Sequence, residues 1–125
     1  MSQTLYECNA IIQSVSIGLD RGSFLTAWVQ LDYGGSGQGF GGYVLGGTPD
    51  ARAGEHYRQK NLAAEFIVRV LSVAGVEKWS ELPGKTVRVR KVGDPWGDIV
   101  AIGHIVKDDR WFDPKQAFAR METQA

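Results

Sequence analysis

Gly34-Gly35-Ser36-Gly37-Gln38-Gly39-Phe40-Gly41-Gly42-Tyr43-Val44-Leu45-Gly46-Gly47 is the stretch on which the fold of this chain turns. It holds half of the 16 glycines found in 125 residues. Glycine adopts backbone angles that other residues avoid, and it lets a second backbone or a ligand approach closely. Ordering so many glycines costs conformational entropy; Phe40, Tyr43, Val44 and Leu45 are the side chains at hand to pack around them. Interleaved aromatics set the stretch apart from a flexible linker. Two readings stay open: a glycine-kinked strand or bulge in a curved sheet, or a loop that faces a ligand. Gly37-Gln38-Gly39-Phe40-Gly41-Gly42 does not fit GxGxxG within a βαβ unit, and no GxxxxGK[ST] occurs, so the stretch is not a phosphate fingerprint.

Upstream, residues Cys8 to Ile17 read as a strand. Ile11, Val15 and Ile17 share one face, Ser14 and Ser16 the other, and Gln13 breaks the alternation. Asp20-Arg21-Gly22-Ser23 is a turn, and Phe24 to Tyr33 is a second strand with Leu25, Ala27, Val29, Leu31 and Tyr33 on one face. So short a connection makes an antiparallel hairpin. A third strand is expected from Phe40 to Leu45.

Downstream, Thr48 to Lys60 reads as a polar exposed loop that includes His56. Asn61 is the expected cap of a helix running to Ala74, with an apolar stripe of Leu62, Ala63, Phe66, Ile67, Val70, Leu71 and Ala74. Glu65 and Arg69 are spaced for a helix ion pair, and Gly75 suits the residue after the helix. Trp79 to Leu82 reads as one further helical turn. Lys85 to Lys91 and Ile99 to Val106 form a second hairpin across Gly93-Asp94-Pro95-Trp96-Gly97, the latter strand apolar on both faces and therefore central. Asp113 and Pro114 open a short helix to Met121. The expected fold is a single α+β domain over residues 1–125: a twisted, mostly antiparallel sheet of two hairpins packed on one main amphipathic helix, plus a short C-terminal helix.

A formal net charge of zero argues against binding a long nucleic acid, which needs a basic surplus. The single cysteine, Cys8, rules out an intramolecular disulfide framework and a cysteine-rich zinc site, and suits a reducing compartment. No apolar run approaches membrane-spanning length, and Met1-Ser2-Gln3-Thr4 lacks the parts of a signal peptide, so a soluble intracellular protein is expected. Trp28, Phe24 and the glycine-rich aromatic stretch leave more apolar surface than one small domain readily covers, which points to an oligomer.

No pattern of catalytic residues appears. His104, in an apolar strand, reads as a structural or ligand-contacting histidine, and Asp108-Asp109 as a solvated corner. The arginines Arg69, Arg88, Arg90, Arg110 and Arg120 can fork onto phosphates. Phe40, Tyr43, Trp96, Trp111 and Phe112 offer flat faces for a base. Together they suit a small anionic nucleotide better than a polymer; the bland alternative is surface arginines and core aromatics.

The segments Ala64-Glu65-Phe66-Ile67, Gly75-Val76-Glu77-Lys78-Trp79-Ser80-Glu81-Leu82-Pro83-Gly84-Lys85-Thr86-Val87-Arg88-Val89 and Ile99-Val100-Ala101-Ile102-Gly103-His104-Ile105-Val106-Lys107-Asp108-Asp109, then Trp111-Phe112-Asp113-Pro114, occur in that order. With Gly39-Phe40-Gly41-Gly42-Tyr43 they resemble a family of small phage proteins, the first-described type of Thoeris anti-defence sponge. The resemblance implies a non-enzymatic binder in the cytoplasm of an infected bacterial host. Such a binder sequesters glycocyclic ADP-ribose, and in some relatives cyclic oligonucleotides, without cleaving them. It implies a dimer or hexamer with ligand sites between protomers, and no cofactor. By position it puts Arg69, Trp96, His104 and Arg120 in the nucleotide pocket. The expected mechanism places Trp96 over the base and Arg69 and Arg120 on phosphate, and the reading of the aromatics and arginines adds Phe40, Tyr43 and Arg88 as further contacts. His104, where asparagine is expected, and Arg110, between the acidic pair and Trp111, depart from the family pattern. Two other classes stand beside this reading: a phage structural or host-interaction module without a small ligand, and a small cyclic-nucleotide hydrolase using His104 and Asp108.

Overall fold

The computed structural model describes residues 4–48 and 61–123; the polar stretch after Thr48, with His56, lies outside the described residues. The first hairpin is formed by β1 (Leu5–Asp20) and β2 (Phe24–Asp32), and β1 extends beyond Cys8 and Ile17 at both ends. Arg21 and Gly22 turn the chain at φ 54° and 73°, and the Ser23 N–H donates to the Asp20 carbonyl at 3.2 Å.

The register of β1 on β2 shifts between Ile12 and Ser14, so Gln13 is the extra residue of a bulge. The bulge reverses which residues face the core. Ala10 and Ile12 are buried before it and Val15 packs on the core after it, while Ile11 lies on the opposite face and is exposed. The expectation that Ile11 shares a face with Val15 is therefore corrected, and Gln13, the break in the alternation, is the mark of the bulge. Ile17 lies beyond the core and is also exposed. On β2, Ala27, Val29 and Leu31 are buried as their alternation requires.

The glycine stretch splits into β3 (Gly37–Gly41) and β4 (Gly46–Gly47), both paired with β2. The third strand thus begins before Phe40 and ends before Leu45. Gly41 and Gly42, at φ 122° and 76°, turn the chain out of the ladder, and a Cβ at Gly41 would collide with the Ala27 carbonyl.

Helix α1 (Leu62–Ala74) buries Leu62, Phe66, Val70 and Val73, the last an addition to the expected stripe. Asn61 does not cap it with its side chain. Its backbone is left-handed, at φ 55°, rather than in the extended region from which a cap side chain reaches back to the first turn. Gly75, at φ 74°, ends the helix by donating its N–H to the Leu71 carbonyl at 2.9 Å. A 3-10 turn, Trp79–Glu81, follows; the Glu81 carboxylate accepts the Lys78 N–H at 2.9 Å.

The second hairpin is β5 (Thr86–Val92) and β6 (Ile99–His104), with Val87, Val89 and Ile102 fully buried. Strand β6 stops at His104, so Ile105 and Val106 are exposed instead of continuing it. The cause is His104 itself: its Nδ1 accepts the N–H groups of Val106 and Lys107, each at 3.0 Å, in place of ladder partners. A two-residue strand, β7 (Trp111–Phe112), then pairs with β6. Helix α2 (Pro114–Thr123) begins at Asp113, whose Oδ1 accepts the Gln116 N–H at 3.2 Å.

Among the described residues all pairings are antiparallel, in the order β3-β2-β1-β5-β6-β7 with β4 also on β2. The fold is α+β as expected. Strand β1 is shared unevenly: Leu5 to Ile11 pairs with β5, and Ile11 to Asp20 with β2. The sheet curls until its two edges meet over α1. Phe40 of β3 and Phe112 of β7 approach to 6.2 Å between ring centroids, and Phe66 packs on both, at 5.8 and 5.6 Å. Gln38 ties the β3 edge to the β5–β6 connection by donating Nε2–H to the Gly97 carbonyl at 3.2 Å. Burying a phenylalanine of this kind stabilises the fold by about 1.5–3 kcal/mol. Among the described residues no helix is long and apolar enough to cross a membrane.

Candidate functional site

Alternation along β5 puts Arg88 and Arg90 on the face opposite Val87 and Val89. Their register partners on β6 are Gly103 and Ala101, and Gly103 in turn pairs with Trp111 on β7. Because Gly103 has no side chain, the Trp111 indole lies across β6; a Cβ there would stand 2.6 Å from a ring carbon. The indole thereby reaches β5, where the guanidinium carbons of Arg90 and Arg88 lie 3.6 and 4.9 Å from its centroid. The ring face attracts such cations electrostatically.

The two arginines differ in what else holds them. Arg88 donates Nε–H to the His104 carbonyl at 2.8 Å and Nη2–H to the Lys107 carbonyl at 3.3 Å, and its Nη1 pairs with Asp108 at 3.0 Å. It is the clasp of the β6–β7 corner. Arg90 has Nε 3.5 Å from the Glu7 carboxylate, but that contact is not aligned as a hydrogen bond, so the buried Nε–H has no hydrogen-bond acceptor among the described residues.

A cleft of about 310 Å³ opens beside Arg90. Arg69 from α1 and Arg120 from α2 line it together with Arg90 and Trp111, and Asp113 and Gln116 of the α2 first turn complete one wall. Arg69 is steadied by its helix partner Glu65, with Nε 2.9 Å from the carboxylate. Arginines from three different elements therefore line one concave surface with an aromatic residue. Planar forks of this kind match phosphate and carboxylate geometry.

A second hollow, of about 530 Å³, adjoins the first and shares Val100, Asp113 and Gln116 with it. It lies in the seam between the sheet edges. Trp28, Tyr43 and the backbone of Gly39 to Gly42 line one side, Val92 and Ile99 the other. The Trp28 indole rests on the glycines: a Cβ at Gly39 would be 3.0 Å from the ring, and one at Gly42 would collide with it. Tyr43 packs edge-on against Phe118 at 5.8 Å. Burial first, and the Asp113 carboxylate second, push the Tyr43 hydroxyl above its usual range, so it stays protonated. The glycine stretch is thus both a kinked strand and the wall of a groove.

Of the residues singled out in the sequence, Arg69 and Arg120 come together in the first cleft, and Tyr43 lines the second. Phe40 lines that groove by its position, yet its residue is 2 % exposed and its ring belongs to the core with Phe66. Arg88 and His104 build the β6–β7 corner, and the far edge of the imidazole, at Nε2, faces Gly75. Trp96 stands apart in the β5–β6 connection, 77 % exposed, and lines neither hollow. Arg90 and Trp111 belonged to the candidate arginines and rings, but only the register of three strands joins them in the cleft. Trp28 was read as apolar surface; its alternation on β2, opposite the core face, was the signal that it stays outside. Among the described residues no group of three or more histidine, cysteine, aspartate or glutamate side chains is placed to hold a metal ion. The chain matches no protein-family model, and comparison with curated proteins and with solved structures finds no match.

Proposed function

We propose that this protein binds and sequesters a small anionic nucleotide without cleaving it. The observation that carries the reading is the convergence of Arg69, Arg90 and Arg120 on one cleft beside Trp111. Three cationic forks on a concave surface suit a diphosphate, each charge-assisted hydrogen bond contributing about 1.5–3 kcal/mol. With the resemblance to Thoeris anti-defence sponges, the ligand class is a cyclic nucleotide signal such as glycocyclic ADP-ribose or a cyclic oligonucleotide. The biological role is then to blunt Thoeris-type immunity in the cytoplasm of an infected bacterium. The hydrolase alternative is disfavoured by the engagement of its two residues: His104 Nδ1 accepts two backbone amides, and Asp108 pairs with Arg88.

Self-association as a dimer or hexamer belongs to the same reading, and the distal half of β1 supports it. From Val15 to Leu19 that strand has β2 on one side and, among the described residues, no strand on the other. The carbonyls of Leu25 and Ala27 turn away from β1, toward Leu45 and Gly42. Ladder alternation then directs the backbone of Ser16 and Gly18 at β2 and that of Val15, Ile17 and Leu19 outward. Ile17 and Leu19 are exposed, and Ser14 to Leu19 carries no charge to blunt the edge.

Calorimetry with cyclic ADP-ribose isomers tests the function. The expected result is binding that weakens at least about tenfold in Arg69→Gln and in Arg90→Gln, with intact ligand recovered after heat denaturation. Recovery of cleavage products supports the hydrolase instead. Absence of binding by any nucleotide leaves the structural or host-interaction module.

A further inference from the structure

We infer that the seam groove lined by Trp28 and Tyr43 is the ring subsite of the same ligand. On this assignment the arginine cleft holds the phosphates, and an aromatic base lies in the neighbouring groove. The inference rests on the nucleotide reading above and adds to it the location of the base. Three observations carry it.

The groove and the cleft are immediate neighbours. Val100, Asp113 and Gln116 line both, so the two hollows lie within the reach of one ligand of nucleotide size. The groove is also built for a flat occupant. Trp28 is 39 % exposed on the face of β2 opposite buried Ala27 and Val29, and its indole lies against the glycines at 39 and 42. Any side chain at Gly42 would collide with that ring. The glycine-rich stretch thus presents an aromatic surface at the seam. Finally, the polar groups of the groove match a base and its sugar rather than a second phosphate. Asp98, Asp113 and Gln116 offer acceptors for an exocyclic amine or for ribose hydroxyls, while Lys115 is the one cation among the described residues of the lining. Asp113 borders both hollows, so the contrast lies in the rest of the lining: three arginines favour phosphate in the cleft, and Asp98 disfavours it in the groove.

Stacking on an aromatic side chain tolerates any base, so it supplies affinity without fine sequence discrimination.

Two probes separate the subsites: cyclic ADP-ribose, which carries a base, and inorganic pyrophosphate, which does not. Calorimetry on Trp28→Leu is expected to show cyclic ADP-ribose weakened between about fivefold and about a hundredfold, with pyrophosphate changed by less than about twofold. Trp28→Phe, which keeps a ring, is expected to restore most of the loss. In the unsubstituted protein, the indole N–H resonance of Trp28 is expected to shift on adding cyclic ADP-ribose and to stay in place on adding pyrophosphate; this arm does not depend on any variant folding. Equal binding of cyclic ADP-ribose by Trp28→Leu, or a shift confined to the Trp96 indole, overturns the groove assignment while leaving the arginine cleft intact. Failure of both probes to bind the unsubstituted protein overturns the nucleotide reading, and this inference with it.

Discussion

The guanidinium of Arg90 and the indole of Trp111 sit on strands that are not neighbours, yet they meet at 3.6 Å, because Gly103 on the strand between them carries no side chain. That contact fixes one arginine of the cleft and one of its walls at the same time. Arg88 meets the same ring from farther off and spends its donors on the His104 and Lys107 carbonyls, and of these two β5 arginines it is Arg90 that lines the cleft.

Substituting Gly103 with alanine therefore forces the indole off β6. The expected cost is about 1–3 kcal/mol, as for overpacking a filled site, with Arg90 displaced as well. Gly18 is the control, since nothing lies within 4 Å of a Cβ built there; Gly18→Ala is expected to change stability by less than about 0.5 kcal/mol. Urea unfolding of the two variants checks the contrast, and equal midpoints would sink it.

Phe66 joins the two edges of the curled sheet through Phe40 and Phe112. Phe66→Ala is expected to lose about 3–5 kcal/mol, enough to threaten a domain of this size. Val68, on the same helix but 61 % exposed, is expected to tolerate alanine within about 0.5 kcal/mol. Thermal melts of both variants, compared with the parent, measure the difference.

Tyr33 gives the fold an alkaline limit. Its hydroxyl donates to Gln38 at 2.8 Å, and burial, followed by proximity to Cys8, raises its pKa far above the ordinary 10.0. In the unfolded chain the phenol ionises near 10.0, whereas in the fold it keeps its proton, so the unfolded state binds fewer protons once the pH passes that value. Stability is unaffected by this group below 10.0 and falls as the pH climbs above it. Tyr43 is shifted in the same direction. Denaturation midpoints at about pH 8 and about pH 11 should fall less steeply in Tyr33→Phe than in the parent; parallel declines would refute the assignment.

Self-association through the outer edge of β1 is expected to depend on Ile17 and Leu19, both exposed beside backbone that pairs with no strand among the described residues. A lysine at either position charges the edge, which is how natural sheets avoid pairing. Light scattering after size-exclusion chromatography is expected to show the parent as an oligomer at micromolar concentration and Ile17→Lys as a smaller species. A monomeric parent ends this reading.

Local pattern was enough for much of this molecule. Alternation set the core faces of β2 and β5, the three-to-four spacing of Leu62, Phe66 and Val70 set the buried face of α1, and Asp113-Pro114 and Gly75 marked helix ends. These features depend on residues a few positions apart, so the sequence by itself determined them, and with them the α+β class. The bulge at Gln13 was visible only as a broken alternation, because the register shift that defines it involves the partner strand. Asn61 looked like a helix cap and is not one, since its left-handed backbone aims the side chain elsewhere. The candidate site belongs to the tertiary structure. Arg69, Arg90 and Arg120 are far apart in the chain, and what unites them is the register of β5, β6 and β7 and the packing of two helices against those strands. The same holds for Trp28 and Tyr43, which face a groove because the sheet curls until its edges meet around Phe66. No spacing along the chain encodes such curvature, because it is the sum of strand twist, glycine-permitted close approach and the volume of one buried ring.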